Sequence, residues 1–290
     1  MLIDISYKEC IAVRKGKNRL VDEYPFTFKH RRSTLHLKKP VIASVVEALT
    51  QLLSQERQAK RVSAPLPLGE HAVFAKRQVL ETLPKKIRVA RGTRKRCGMF
   101  EWPIEELVNT AEAHRRGARV PAVVGYGYTK SRLGLMDDFF IITELLQNYT
   151  DGYQWMLAKP HEVERVIDAA FELMFSLNES RIYHMDLWAA NVMMCAQGVA
   201  PTYAIDLENC FAHETEYLSE TLGFQFGFFY WREVKEFIEE ARYDELVAQA
   251  LESYVTCDRE RFLRTYAVSK HQHFGRKERR TIFARGTINL

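Results

Sequence analysis

The chain has 290 residues, 47% of them hydrophobic and 27% charged, with a formal charge of +5, which is enough apolar material for one large core or two lobes. It holds no run of about 18 uncharged apolar residues, and its opening stretch MLIDISYKEC carries acids where an export signal has a basic start; a membrane span and a secretory leader are therefore not expected. Five widely spaced cysteines (Cys10, Cys97, Cys195, Cys210, Cys257) form no C-x-x-C pair, which argues against a zinc site or disulfide frame and for a reducing compartment.

In chain order, residues 3–7, 26–29 and 34–37 read as short strands that begin a sheet. After Pro40, residues 41–60 place Val45, Ala48, Leu49, Leu52 and Leu53 on one helical stripe, and residues 63–69 (SAPLPLG) then read as a breaker. Residues 71–77 (HAVFAKR) read as a buried strand ending in cations, Lys76 among them. Residues 85–96 hold seven Lys or Arg in twelve positions and no acid; they read either as a solvated loop or as a surface for an anionic partner. A helix is expected over residues 103–116, with Pro103 at its start and Gly117 just past its end, carrying Glu105, Glu106 and Glu112. Residues 122–128 and 139–143 read as a hairpin running into Glu144.

Pro160 opens a helix over residues 161–178, with Val163, Val166, Ile167, Ala170, Phe171, Met174 and Phe175 at helical spacing. Residues 183–209 follow: YHMDLWAANVMMCAQGVAPTYAIDLEN. A loop with His184, Asp186 and Asn191 leads into an apolar strand (192–194), a turn (197–201) and a second strand (203–205) that ends on Asp206. Two short strands joined by a turn make a hairpin, and here the polar residues flank its two ends, so Asp186, Asn191 and Asp206 come together. Phosphoryl transfer needs such a set: a carboxylate to orient and accept the proton of an attacking hydroxyl, and oxygen ligands for the metal that neutralises the phosphates. Residues 221–241 read as a helix rich in aromatics forming core or an acceptor-site wall, residues 243–255 as another helix, and residues 259–285 as a basic tail. His271 and His273 have no accompanying carboxylate or cysteine and read as solvent-exposed.

HMDLWAAN followed by IDLE resembles the H-x-D-L-x-x-x-N catalytic loop and metal-binding Asp of the protein-kinase-like fold. The form DLWAAN and IDLEN, in place of DLKxxN and DFG, more closely resembles the bacterial lipopolysaccharide-core (heptose/Kdo) sugar kinases than the serine/threonine kinases. The resemblance implies an α+β, two-lobed protein-kinase-like fold. Its N-lobe (1–145) is an antiparallel sheet with helices, its C-lobe (146–290) is mainly helical, and the active site lies in the cleft. It implies ATP and Mg2+ as cofactors, Asp186 as catalytic base, and Asn191 and Asp206 as metal ligands. Lys76 would contact the nucleotide phosphates, with Lys85 and Lys86 as fallbacks. The spacing back from Gly117 favours Glu106 as the partner of that lysine, and the adenine-holding hinge falls at Glu144 and the residues after it.

The acceptor so implied is an anionic glycolipid sugar hydroxyl, met in the cytoplasm with peripheral contact to the inner membrane through residues 85–96. Two features depart from the pattern: no G-x-G-x-x-G loop is recognisable, and no A-P-E motif follows Asp206, which argues against a protein substrate. A soluble-acceptor kinase of the aminoglycoside or choline type, and a non-catalytic kinase-like binding protein, are the competing readings. Nucleic acid is not expected, because no recognisable binding motif accompanies the basic charge.

Overall fold

The computed structural model describes residues 23–54, 61–68, 71–95, 98–197 and 200–288. The strand expected at residues 3–7, Cys10, Arg96 and Cys97 lie outside them. Two compact units are present, Met1–Ala111 with Pro121–Gln147, and Glu112–Val120 with Asn148–Leu290.

The first unit is built on an antiparallel six-stranded sheet. Its strands are β1 (Phe26–His30), β2 (Ser33–Leu37), β3 (Arg61–Leu68), β4 (His71–Val79), β5 (Val123–Lys130) and β6 (Met136–Glu144), in the order β1-β2-β5-β6-β4-β3. Helix α1 (Ala43–Ser54) packs Val45, Leu49 and Leu52 against one face, where Leu35, Leu37, Val73, Ala75, Phe140 and Ile142 point. The alternate residues Tyr126, Tyr128, Phe139 and Ile141 point to the other face, against Val89 of α2 (Leu83–Arg91) and Ile104 and Leu107 of α3 (Trp102–Arg115). The period-2 alternation of a strand thus divides β6 between two cores.

Two elements differ from what the sequence leads one to expect. The proline-bearing stretch after α1 is strand β3, not a breaker: among the described residues it is an edge strand that pairs only with β4, and Pro65 and Pro67 are two residues apart. Both imide nitrogens can then lie on the open edge, where no ladder donor is required. The basic run is also not a simple loop, because its first half is helix α2. Pro84 stands in its first turn, and Gly92, at φ 55°, closes its end, with the Gly92 and Thr93 amides returning to Val89 O and Arg88 O.

The second unit is helical. Its elements are β7 (Tyr149–Asp151), α4 (Gly152–Ala158), α5 (Val163–Glu179), β8 (Tyr183–His184), β9 (Val192–Cys195), β10 (Tyr203–Ala204), β11 (Cys210–Phe211), α6 (Leu218–Trp231), α7 (Glu240–Ala250), α8 (Arg259–Ser269) and α9 (Arg276–Arg285). The buried stripe of α5 (Val166, Ile167, Ala170, Phe171, Met174) meets Leu222, Phe226 and Phe229 of α6 in the main core. Helix α6 is buried almost all round, so its aromatics from Phe224 to Tyr230 are core. Gly223 and Gly227 let α8 approach its backbone: a Cβ on Gly227 would stand 2.6 Å from Ser269 Cβ and 2.9 Å from Tyr266 O. The aromatic helix ends at Trp231 rather than continuing to residue 241. Glu233 takes a positive φ of 69° there, and Val234 turns into the core. The whole is an α+β chain, an antiparallel sheet followed by a helical part, as the resemblance implies.

Candidate active site

In the first unit, strand alternation puts Phe74, Lys76 and Gln78 on the face of β4 that meets α3. Lys76 Nζ donates to both carboxylate oxygens of Glu106, at 2.6 and 2.8 Å, and Gln78 Nε2 adds a third bond to Glu106 Oε2 at 3.1 Å. Both ion-pair members are buried. The three candidate glutamates are thereby separated. Glu105 accepts from the Phe100 amide at the start of α3, Glu106 holds Lys76, and Glu112, within the second unit, is bound by Arg115 and Arg116. A step of one residue turns a helical side chain by about 100°, so only one of them reaches the lysine.

Glu144 closes β6 opposite Val73 and is exposed. Its amide bonds Ala122 O at 2.9 Å, and that of Leu145 bonds Ala72 O at 3.1 Å. The fallback lysines are placed otherwise. Lys86 pairs with Asp137 at 2.5 Å, and Lys85 lies over the Trp102 ring. Arg88 and Lys95 both pair with buried Glu101. Burial alone would raise that carboxyl; the hydrogen bonds from Lys95 and Arg88 outweigh it and hold Glu101 below its ordinary value. The outward charge of the basic run is accordingly smaller than its sequence suggests.

In the second unit the hairpin expected between Asn191 and Asp206 is present. Strands β9 and β10 pair antiparallel, Met193 opposite Tyr203 and Val192 opposite Ala204, and β9 also pairs β7. Strand β8 pairs β11, so both ends of the motif are anchored. His184 ties the two loops. It is fully buried, its Nδ1 accepts from the Asp186 amide at 3.2 Å, and its Nε2 contacts Ile205 O at 3.0 Å. An amide donating to Nδ1 requires that nitrogen to be unprotonated, which makes Nε2–H the donor to Ile205 O: a neutral imidazole. Burial pushes the His184 pKa down, against the opposing pull of the Ile205 carbonyl, Asp186 and Asp206.

Asn191 Nδ2 donates to Asp186 O at 2.9 Å, and the Ile205 amide donates to Asn191 O at 3.1 Å. Asp186, Asn191 and the residue before Asp206 are thus joined directly. Asp206 itself is left-handed (φ 65°, ψ 54°), a conformation that Asp tolerates better than most side chains. Oxygens of Asp206 and Glu208 lie within 4.8 Å of each other. Carboxylates and an amide oxygen are hard donors, the set that suits Mg2+.

Arg279 was not among the residues expected at the site. Its Nη1 donates to Asp186 Oδ1 at 2.5 Å, its Nε donates to Phe274 O at 2.9 Å, and its guanidinium lies 4.3 Å over the Phe228 ring. One turn earlier Arg276 pairs with Glu208. These contacts span 93 and 68 residues. The only sequence signal is arginines three apart in a basic tail, which also describes a solvated helix.

Residues 102–217 match the family Lipopolysaccharide kinase (Kdo/WaaP). The family resemblance holds. The Kdo/WaaP match covers α3 and residues 183–209; β4, with Lys76, and α9 lie outside it. Among solved structures, the chain is similar to WaaP in complex with acyl carrier protein (15% identity, 73% of this chain and 82% of that one, TM-score 0.46). It is also similar to the bifunctional kinase-methyltransferase WbdD (15% identity, 71% of this chain, TM-score 0.42), spanning only 47% of the WbdD chain. No curated protein matches. No helix among the described residues is long and apolar enough to cross a membrane.

Proposed function

We propose that the chain is an ATP-dependent phosphotransferase acting on a sugar hydroxyl of lipopolysaccharide core. The observation that carries this is the tie of Asp186, Asn191 and the Asp206 loop through His184, inside the segment that matches a family of kinases. In this reading Asp186 is the base. As the acceptor oxygen bonds to the γ-phosphorus, its proton passes to the Asp186 carboxylate. The bond from the γ-phosphorus to the bridging oxygen breaks, and its electron pair leaves with ADP. Asn191 and Asp206 would hold Mg2+, which when bound neutralises charge on the phosphates. Asn191 would use Oδ1, since Nδ2 is committed to Asp186 O.

Lys76, oriented by Glu106 and Gln78, would contact the phosphates. Adenine would be held by backbone groups from Glu144 onward, with amide donors from after Leu145, because the Glu144 and Leu145 amides already serve the sheet. The division into an N-lobe ending near residue 145 and a C-lobe from residue 146 belongs to the same reading, as does a cytoplasmic site of action. The anionic core acceptor is favoured over a soluble aminoglycoside- or choline-type acceptor by the Kdo/WaaP match. Membrane contact through residues 85–96 would be weak, since three of its cations are already paired.

Mass spectrometry of core oligosaccharide from cells with and without the gene tests the reading. A phosphate missing from one sugar of the deletion strain is expected. Identical core glycoforms in both strains would remove the assignment.

A further inference from the structure

Helix α9 begins after Gly275, whose amide donates to Glu278, and ends at Gly286 with a left-handed φ of 63°. Its buried face is Arg279, Ile282 and Phe283, spaced i, i+3, i+4. Ile282 and Phe283 pack with Tyr183, Met185, Phe224, Phe228 and Phe274, and Phe283 stacks flat on Phe211 at 4.0 Å. The apolar part of that face therefore grips β8 and β11, the strands that flank the catalytic stretch. Arg279 is the one polar member of the face, and it is 5% exposed. A buried cation is costly unless it is paired and hydrogen-bonded. Here the pairing is to Asp186, and the backbone oxygens of Met185 and Phe274 orient the same guanidinium.

A planar guanidinium held by two carbonyls and an aromatic ring has little freedom to turn, and it binds Oδ1 of Asp186 only. Rotation of that carboxylate is thereby restricted, and Oδ2 is the oxygen left to face a hydroxyl. We propose that Arg279 is a positioning residue for phosphoryl transfer: it fixes Asp186 through Oδ1 so that Oδ2 receives the acceptor proton, making helix α9 part of the catalytic machinery. The Arg276–Glu208 pair, one turn earlier, anchors the same helix to the loop after Asp206. The inference rests on the reading of Asp186 as base, and its two arginines lie beyond the family match.

The test is a double-mutant cycle read as transfer of label from γ-32P-ATP to core lipopolysaccharide dephosphorylated with hydrofluoric acid. Arg279→Gln is expected to lower kcat about 10- to 100-fold, the scale for misplacing a reacting group, with KM for ATP within about twofold. Arg279→Lys, which keeps the charge but not the fork, should recover part of that loss. In an Asp186→Ala background, followed over long single-turnover courses, Arg279→Gln should change the rate less than about twofold, because its only route to the reaction has gone.

A kcat for Arg279→Gln within threefold of the parent overturns the inference, and so does a loss that persists undiminished in the Asp186→Ala background. If Arg279→Gln melts below the assay temperature, Arg279→Lys is carried through the same cycle with the same criterion. Should Asp186→Ala itself retain near-normal transfer, the kinase assignment of that residue fails. That result is distinct from a silent Arg279.

Discussion

Replacing Lys76 by Met takes the ammonium away from a buried carboxylate. The Lys76 and Glu106 side chains are 9% and 8% exposed and share two hydrogen bonds, so removing the ammonium takes both of those bonds and their positive charge from Glu106, while the bond from Gln78 stays. Breaking one side of a buried pair costs about 3–5 kcal/mol, mostly the penalty of the uncompensated charge rather than the worth of the pair. At about 2–4 °C per kcal/mol for a domain of a couple of hundred residues, the melting temperature should fall by roughly 6–20 °C. Lys76→Met with Glu106→Gln also removes the buried negative charge and keeps a carbonyl for Gln78, so it should regain more than half of that fall. Circular dichroism melts on the two variants read this directly. If Lys76 contacts the nucleotide phosphates as proposed, phosphoryl transfer should be lost in both, because the double variant restores packing without that cation. Refutation would come from a single variant melting within about 2 °C of the parent, or from a stable double variant that turns over normally.

Asp186→Ala should leave folding and ATP-induced stabilisation nearly intact while lowering turnover at least about 100-fold, the scale of general-base catalysis; steady-state kinetics and a thermal shift decide it. Asp206→Ala should instead weaken Mg-dependent ATP binding, so that the stabilisation of about 2.7 kcal/mol expected at a hundredfold excess over Kd shrinks in a calorimetric titration. Because burial lowers the folded His184 pKa below its ordinary 6.5, the unfolded chain takes up the extra proton first as the medium is acidified. Stability contributed by this group is therefore complete above about pH 6.5 and falls with acidification, by at most about 1.4 kcal/mol per pH unit. His184→Gln should flatten that part of the melting-temperature profile between pH 7.5 and 5 relative to the parent, and parallel profiles would contradict it. Gly227→Ala, whose Cβ would press on Ser269 and Tyr266, should destabilise by about 1–3 kcal/mol in urea unfolding.

What was legible in the sequence was whatever is local. Asp186, Asn191 and Asp206 sit at the ends of one short hairpin, so spacing alone predicts that they meet; Asn191 does bond Asp186, and His184 joins the Asp186 amide to the Ile205 carbonyl next to Asp206. Lys76 and Glu106 are 30 residues apart; the resemblance supplied their pairing, and α3 geometry explains why Glu105 and Glu112 do not compete. Strand β3 was hidden because prolines signal a break unless the strand is an edge, and edges are a property of the assembled sheet. Helix α2 was hidden because its stripe holds little that is buried beyond Val89, leaving basic residues to dominate the pattern. The end of α6 carried no Gly or Pro; the core's demand for Val234 breaks the helix there. Arg279 was invisible for a related reason. Its partner lies 93 residues away, and no local rule separates one buried arginine from its solvated neighbours.

The most direct measurement is transfer of the γ-phosphoryl group of labelled ATP to dephosphorylated core lipopolysaccharide by the purified chain, beside its Asp186→Ala variant. Label should appear in the lipopolysaccharide with Mg2+ present, and fall at least about 100-fold in the variant. Incorporation by the variant at a rate near the parent's, or by neither protein while the parent binds ATP, would contradict the account.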